Sequence, residues 1–349
     1  MILNAYLHKR ETERVRRMVA TIKDVAKKAG VSISTVSRVV NDSKPVSEEV
    51  RKRVEKAIEE LGYKPNQVAR SLVTKRSALI GVIVTDLGNS YVAEVLRGIE
   101  EIGRMYDYDI ILSSTFGEKQ AEIKSLQVLR SKQVEGMILI SDNVNEELDS
   151  AIEKLNMPFI YLNRYYYKEK YPTVVIDNRE AAYEMTNYLI NSGHKDIAYI
   201  VKSREENSIE NKKLDGYKDA IKENSLEKRV FYADDVGFKY GYKVAEEIKN
   251  SGVTAVFCSY DEIALGVLGY FYDEGIKVPE EISVTGFGDI STASVYRPTL
   301  TTIKVPYYDI GAVAIRRIIK ELKGEKSGES DTRLPFQIQV RGSSKEIND

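Results

Sequence analysis

Between Thr21 and Leu61 the apolar positions recur at helical spacing in three short blocks. Ile22, Val25, Ala26 and Ala29 fall on one face of the first, and Val36, Val39, Val40, Val50, Val54, Ile58 and Leu61 close a small core over it. Thr21 and Asp24 fit a capping box, Gly30 stops the first helix and Ser32 restarts the chain. Ser47 caps a third helix after the Asn41 to Pro45 turn. The short turn between the first two blocks has the spacing of a helix-turn-helix, although a plain three-helix bundle shows the same periodicity.

From Ala78 onward the pattern changes. Apolar runs of strand length are predicted at Ala78 to Val84, Asp109 to Ser113, Gly136 to Ile140, Phe159 to Leu162, Asp196 to Ile200, Ala255 to Cys258 and Ser283 to Gly286. Amphipathic helices alternate with them, at Val92 to Met105, Glu118 to Ser131, Arg179 to Ser192, Asn211 to Lys222, Tyr240 to Ser251 and Glu262 to Glu274. Such alternation predicts an α/β fold of parallel sheets covered on both faces, and 272 residues from 78 to 349 suit two lobes. Ligands of such sheets bind at the carboxyl ends of the strands.

Composition adds four points. Hydrophobic content of 42% with 8 prolines predicts folded material throughout. The single cysteine, Cys258, excludes an intramolecular disulfide, and no apolar run reaches the length of a membrane span, so the expected location is cytoplasmic with no membrane partner. Residues 1 to 18 lack the apolar stretch of a secretory signal and are predicted to be a disordered extension. Charge is uneven: residues 19 to 76 hold 13 Lys and Arg against 7 Asp and Glu, while residues 77 to 349 hold 34 against 44. A basic small domain on an acidic large one suggests that the first meets a polyanion.

The second helical block supports that reading. Ser34, Thr35, Ser37 and Arg38 are small or polar where an ordinary bundle shows Glu and Lys, so they can approach base edges and phosphates. After Leu61, Pro65 and Asn66 are suited to start a very short helix, marginal in water alone and expected to order only against a partner copy or DNA.

The runs Thr21-Ile22-Lys23-Asp24-Val25-Ala26-Lys27-Lys28-Ala29-Gly30-Val31-Ser32 and Thr35-Val36-Ser37-Arg38-Val39-Val40-Asn41 closely resemble the start of LacI-type transcription regulators. So do Gly62-Tyr63-Lys64-Pro65-Asn66 and Ala69-Arg70-Ser71-Leu72. The resemblance implies a helix-turn-helix DNA-binding domain at 19–64, a hinge helix and linker at 65–77, and a two-lobed core like that of periplasmic binding proteins. The core's first lobe is expected at 78–177 with 305–330, and its second at 178–304 with 331–349. It implies that Ile33, Ser34 and Arg38 read the major groove and that Leu72 wedges into a central base step of the minor groove, with Asn66, Ala69 and Arg70 beside it. Thr21, Ser32, Thr35, Ser37, Asn41 and Tyr63 complete the candidate DNA-contacting set. A homodimer on a pseudo-palindromic double-stranded operator follows.

Four further segments resemble the carbon catabolite control branch of that family: Arg97-Gly98-Ile99-Glu100, Tyr106 to Ser113, Ser192-Gly193-His194-Lys195 and Tyr308 to Ala314. In that branch the corepressor is the phosphocarrier protein HPr phosphorylated on a serine, and the matching contact helix runs from Tyr308 to Lys320. Spacing alone puts Tyr308, Ala312, Arg316 and Lys320 on one stripe, flanked by Asp309, Val313 and Arg317. That stripe joins a flat apolar floor to guanidinium groups able to grip a phosphate; a solvated helix face is the plain alternative.

Sugar- or purine-binding relatives commonly carry an arginine before one Gly-aromatic pair and an aspartate after another. Here Lys213 precedes Gly216-Tyr217, and Gly288 follows Gly286-Phe287. Losing the carboxylate weakens the case for a neutral-sugar inducer, although Asp289 is expected to reach the cleft from the next position and a sugar phosphate could meet Lys213 as an adjunct effector. Tyr260, before Asp261, is expected to fill part of the cavity. Asp86, Tyr91, Asn163 and Arg164 also match cleft-facing positions, each with a turn or cap role as the alternative. A repressor governed by a small effector, a solute-binding transport component and an enzyme are the competing readings. Two histidines, one cysteine and no metal-spaced cluster argue against the last, with no cofactor expected.

Overall fold

The computed structural model describes residues 20–42, 44–64, 76–141, 146–162, 172–202, 209–325 and 331–347. The chain divides into two compact units, Met1–Ser77 and Ala78–Asp349. In the first, helices α1 (Ile22–Ala29), α2 (Ile33–Asn41) and α3 (Glu48–Leu61) enclose Val25, Val36 and Val54, each wholly buried. The capping box predicted for α1 is present, whereas Ser47, at the N-cap position of α3, makes no side-chain capping hydrogen bond. Asp24 Oδ2 accepts from the Thr21 backbone at 2.9 Å and from its hydroxyl at 2.7 Å, which hold the carboxyl below its ordinary range. Gly30 ends α1 in the left-handed conformation, φ 65°, that a side chain rarely adopts.

The second unit opens with β1 (Leu79–Val84), α4 (Ser90–Met105), β2 (Asp109–Ser114), α5 (Lys119–Ser131), β3 (Gly136–Ile140), α6 (Glu146–Glu153) and β4 (Phe159–Leu162). These strands form one parallel sheet, ordered β2-β1-β3-β4. Next come β5 (Thr173–Val175), α7 (Asn178–Asn191), β6 (Ile197–Val201), α8 (Ile209–Glu223), β7 (Arg229–Tyr232), α9 (Phe238–Lys249), β8 (Ala255–Cys258), α10 (Asp261–Asp273) and β9 (Ser283–Gly288). The chain closes with β10 (Thr301–Lys304), α11 (Tyr307–Leu322), β11 (Asp331–Arg333) and β12 (Gln337–Gln339). The second sheet is ordered β12-β10-β9-β8-β6-β7, with β12 as its antiparallel edge. The chain thus passes between the lobes three times, and β5 and β11, which flank two of the crossings in sequence, pair in parallel.

Each sheet is covered on both faces, as its continuous apolar strands require. Ile99, Ile310, Ile315 and Ile318 pack on one face of the first sheet, and Ile123, Leu126, Leu148 and Ile152 on the other. In the second, Met185, Leu189, Leu214 and Tyr217 cover one face, and Val244, Ile248, Ile263 and Phe271 the other. Two helix pairs are in backbone contact through facing glycines. A Cβ on Gly98 would lie 2.0 Å from the Tyr308 carbonyl oxygen, and one on Gly311 would lie 2.0 Å from that of Val95, so α4 and α11 tolerate nothing larger. Gly241 and Gly266 join α9 to α10 in the same way.

Candidate functional site

Three surfaces carry the residues singled out by sequence. In the head unit the apolar face of α2 turns inward through Val36 and Val39, so its opposite side faces out. Ile33 is 45% exposed, an apolar side chain the head's own core does not use, and Ser34 and Arg38 lie beside it at the surface. Arg38 has no ion-pair or hydrogen-bond partner among the described residues. Ser32 Oγ accepts from the Thr35 amide at 3.2 Å and shares hydrogen bonds with the Ser34 and Thr35 hydroxyls at 2.7 and 2.8 Å, which orders the amino end of α2. Asn41 Nδ2 donates to Ser37 Oγ at 3.2 Å. Tyr63 is half-buried against the three-helix core, and Thr21 serves as the cap of α1. Asn66, Ala69, Arg70 and Leu72 lie outside the described residues.

On the first lobe, α11 exposes Asp309, Arg316 and Lys320 along its outer side, and Tyr308 is half-exposed beside them. Arg316 and Lys320 have no hydrogen-bond or ion-pair partner among the described residues. The apolar floor expected at Ala312 is absent. Ala312 is only 4% exposed because its backbone nitrogen sits 2.9 Å from where a Cβ on Gly98 would project, inside the α4–α11 contact. Val313 is half-buried on the core, and Arg317 turns away to donate to Thr332 Oγ1 at 2.8 Å on β11. In place of the floor, α4 contributes residues that the α11 pattern alone misses. The Arg97 guanidinium lies 5.3 Å from the Tyr308 ring centroid, and the Tyr308 hydroxyl donates to Glu101. Arg97 stands in a segment that sequence singled out, but only the helix crossing shows what it faces.

The cleft between the lobes is lined by Tyr91, Val174, Val175, Ile176, Asn178, Ile209, Lys213, Tyr260, Phe287, Val305, Tyr307 and Ile310, and leaves a cavity of about 40 Å³. Ligand pockets for drug-sized molecules run to roughly 300–1,000 Å³, so there is room here for little more than water. Lys213 is buried, its ammonium 2.8 Å from the Ser259 carbonyl and 3.1 Å from Glu210 Oε1. Tyr91 and Tyr307 pack with ring centroids 5.5 Å apart, and burial pushes the Tyr307 phenol well above its ordinary range.

The carboxylates expected in the cleft are committed elsewhere. Asp261 accepts from the Ile290 amide at 2.9 Å and from the Thr302 hydroxyl, tying α10 to the segments around β9 and β10. Its complete burial raises its pKa to about 7. Asp289, expected to reach inward, adopts φ 56° and pairs with Arg341 at 2.6 Å instead. Asp86 closes a turn by accepting from the Gly88 amide at 2.8 Å. Asn163 and Arg164 fall outside the described residues. Glu210 and Ser259 were not foreseen, and Phe287 was noted only as part of a Gly-aromatic pair; Glu210, three residues before Lys213 on one helix, left a readable signal in its spacing.

The head and the core each match a known family over nearly their whole length. Residues 21–66 match the bacterial regulatory proteins of the lacI family, and residues 77–341 match the periplasmic binding proteins and sugar binding domain of the LacI family. The chain belongs to the LacI family. It is 40% identical over 332 residues to catabolite control protein A of Priestia megaterium, covering 94% of this chain and all of that protein. The crystal structure of the transcription regulator CcpA of Lactococcus lactis superposes with a TM-score of 0.72 at 31% identity, covering 76% of this chain and 99% of that one. The lac repressor dimer bound to operator and the anti-inducer ONPF gives a TM-score of 0.84 at 27% identity, covering 93% and 99%. This LacI-family member is therefore a DNA-binding transcription regulator close to catabolite control protein A, built as a helix-turn-helix domain followed by a two-lobed parallel α/β core. Among its described residues no helix is long and apolar enough to cross a membrane.

Proposed function

We propose that this regulator controls carbon catabolite genes from the cytoplasm, binding a pseudo-palindromic operator as a homodimer, with serine-phosphorylated HPr as its corepressor. It acts by binding, without catalysis. In this reading Ile33, Ser34 and Arg38 meet base edges in the major groove, and Leu72 with Asn66, Ala69 and Arg70 engages the minor groove. Unstacking a base step costs a few kcal/mol, offset because the bent duplex lets two hinges and two heads engage together.

The observation that carries the protein corepressor is the contrast between α11 and the cleft. Arg316 and Lys320 stand exposed and unpartnered beside Tyr308 and Asp309, where a phosphoryl group would gain charge-assisted hydrogen bonds. The cleft meanwhile leaves no space for a sugar, and its one lysine already has partners. Exposed apolar side chains in both lobes, Leu87 and Phe116 in the first and Phe238 and Val295 in the second, are surface that a second copy would cover. Corepressor bound on the core would shift the population toward the arrangement that sets hinge spacing. The test is operator affinity measured by anisotropy with phosphorylated and unphosphorylated HPr. Only the phosphorylated form should tighten binding; equal effects from both forms, or from neither, would remove HPr from the proposal.

A further inference from the structure

The cleft's cation belongs to the chain itself. Lys213 extends from α8 into a cage made by the second lobe alone: the Glu210 carboxylate at 3.1 Å, the Ser259 carbonyl at 2.8 Å, and the faces of Tyr260 and Phe287, whose ring centroids lie 4.0 and 4.2 Å from the ammonium. A carboxylate, a carbonyl and two aromatic faces are the groups by which proteins recognise an alkylammonium ion, since both ring quadrupoles and oxygen lone pairs face the positive charge. Lys213 is 3% exposed and Glu210 5%, so neither is the snorkelling surface lysine or the solvated partner that helix spacing alone suggests. A buried ammonium is costly unless its surroundings are built for it, and here they are.

The distribution of these groups along the chain matters. Glu210 and Lys213 share one helix, Ser259 and Tyr260 form the link from β8 to α10, and Phe287 lies on β9, so the cage forms at the carboxyl ends of the second lobe's strands, where this class of sheet receives its ligand. We propose that the cleft is a primary-ammonium site already filled by Lys213, a tethered occupant standing where a dissolved effector would bind. This holds whether or not the corepressor proposed above docks on α11. Cutting the tether converts the cage into a binding site for a free alkylammonium ion, because Lys213→Ala removes the atoms of n-propylammonium and leaves Glu210, Ser259, Tyr260 and Phe287 in place.

The experiment is thermal melting of the full-length protein and its Lys213→Ala variant, with n-propylammonium chloride and with 1-propanol, its neutral isostere, at matched ionic strength. The variant should melt about 5 °C or more below the parent, a shift readable for a core of this size. Tens of millimolar n-propylammonium should restore a large part of that loss, 1-propanol should not, and the parent should not respond to either. A variant as stable as the parent, rescue by 1-propanol equal to that by the cation, or no rescue by the cation would each overturn the proposal. Lys213→Met provides the second arm should the alanine variant not fold. Filling the cage without charge, it should melt below the parent and stay unresponsive to n-propylammonium; stability equal to the parent's would overturn the proposal as well.

Discussion

Arg316 on α11 and Lys213 in the cleft are both cations on helices of the same core, yet their surroundings are opposite. Arg316 projects into solvent with no hydrogen-bond or ion-pair partner among the described residues, and the Lys213 ammonium is surrounded by two oxygens and two aromatic faces. A cation left unpaired at a surface costs the fold little and is available to an anion brought by another molecule, whereas one that is buried and paired has spent its interactions on the fold. Arg38 on the head resembles Arg316 in this respect. On the function proposed above, the contrast distinguishes surfaces open to another molecule from an internally completed site.

The largest expected effect tests whether the proposed docking stripe on α11 depends on its contact with α4. Gly98→Ala places a methyl 2.0 Å from the Tyr308 carbonyl oxygen, so the helices must part and the fold should lose about 3 kcal/mol, measured by urea unfolding. Its response to phosphorylated HPr should disappear even below the melting transition. Next, Arg38→Ala should weaken specific operator binding by about 2 kcal/mol, or some thirtyfold, while leaving melting unchanged; a matching fall in affinity for random DNA would make Arg38 a phosphate contact only. Arg316→Ala should reduce the corepressor's enhancement about tenfold with unaided operator binding intact, the signature of a lost charge-assisted contact.

A smaller effect comes from Asp261. Its folded pKa, about 7, lies above the ordinary carboxylate range, so the folded protein holds a proton that the unfolded chain releases. Its contribution to stability is greatest in acid and declines as pH rises through the folded pKa, by about 1 kcal/mol between pH 6 and pH 8. Urea unfolding across that interval, compared with Asp261→Asn, should show the slope in the parent and a flatter profile in the variant. Smallest of all, neutral sugars and sugar phosphates should move melting by less than about 1 °C at millimolar concentration, the response expected of a ligand that gains no site. A larger shift would mean that the cleft opens and that the contrast with α11 fails.

The main elements were legible because their apolar runs are long. β1, β3 and β8 are continuous buried strands, and α4 and α5 show clear helical periodicity, so they fall within one or two residues of their expected bounds. The short strands β5, β7, β10, β11 and β12 were not predicted. The three residues of β12, Gln-Ile-Gln, hold one apolar side chain, and such strands exist through their sheet partners rather than through pattern.

The sites were less legible than the fold, for reasons visible in particular residues. Ala312 occupies the outer stripe by helical spacing, but the glycine crossing brings α4 over it. Asp289 neighbours the position where relatives carry their carboxylate, but its left-handed backbone sends the side chain to Arg341. The Lys213 cage draws Tyr260, at the start of α10, and Phe287, on β9, onto a lysine far from both in sequence, a convergence that only tertiary structure creates. The exposure of Arg38 was readable because a solvent-facing helix position needs no tertiary partner to define it.

The most direct measurement of the central claim is selection of DNA by the full-length protein from a random duplex library at about 150 mM salt, with and without phosphorylated HPr. The account predicts recovery of a two-fold symmetric sequence bound at least about 10³-fold more tightly than bulk DNA, and more strongly enriched when the phosphocarrier is present. Recovery of no preferred sequence under either condition would contradict it.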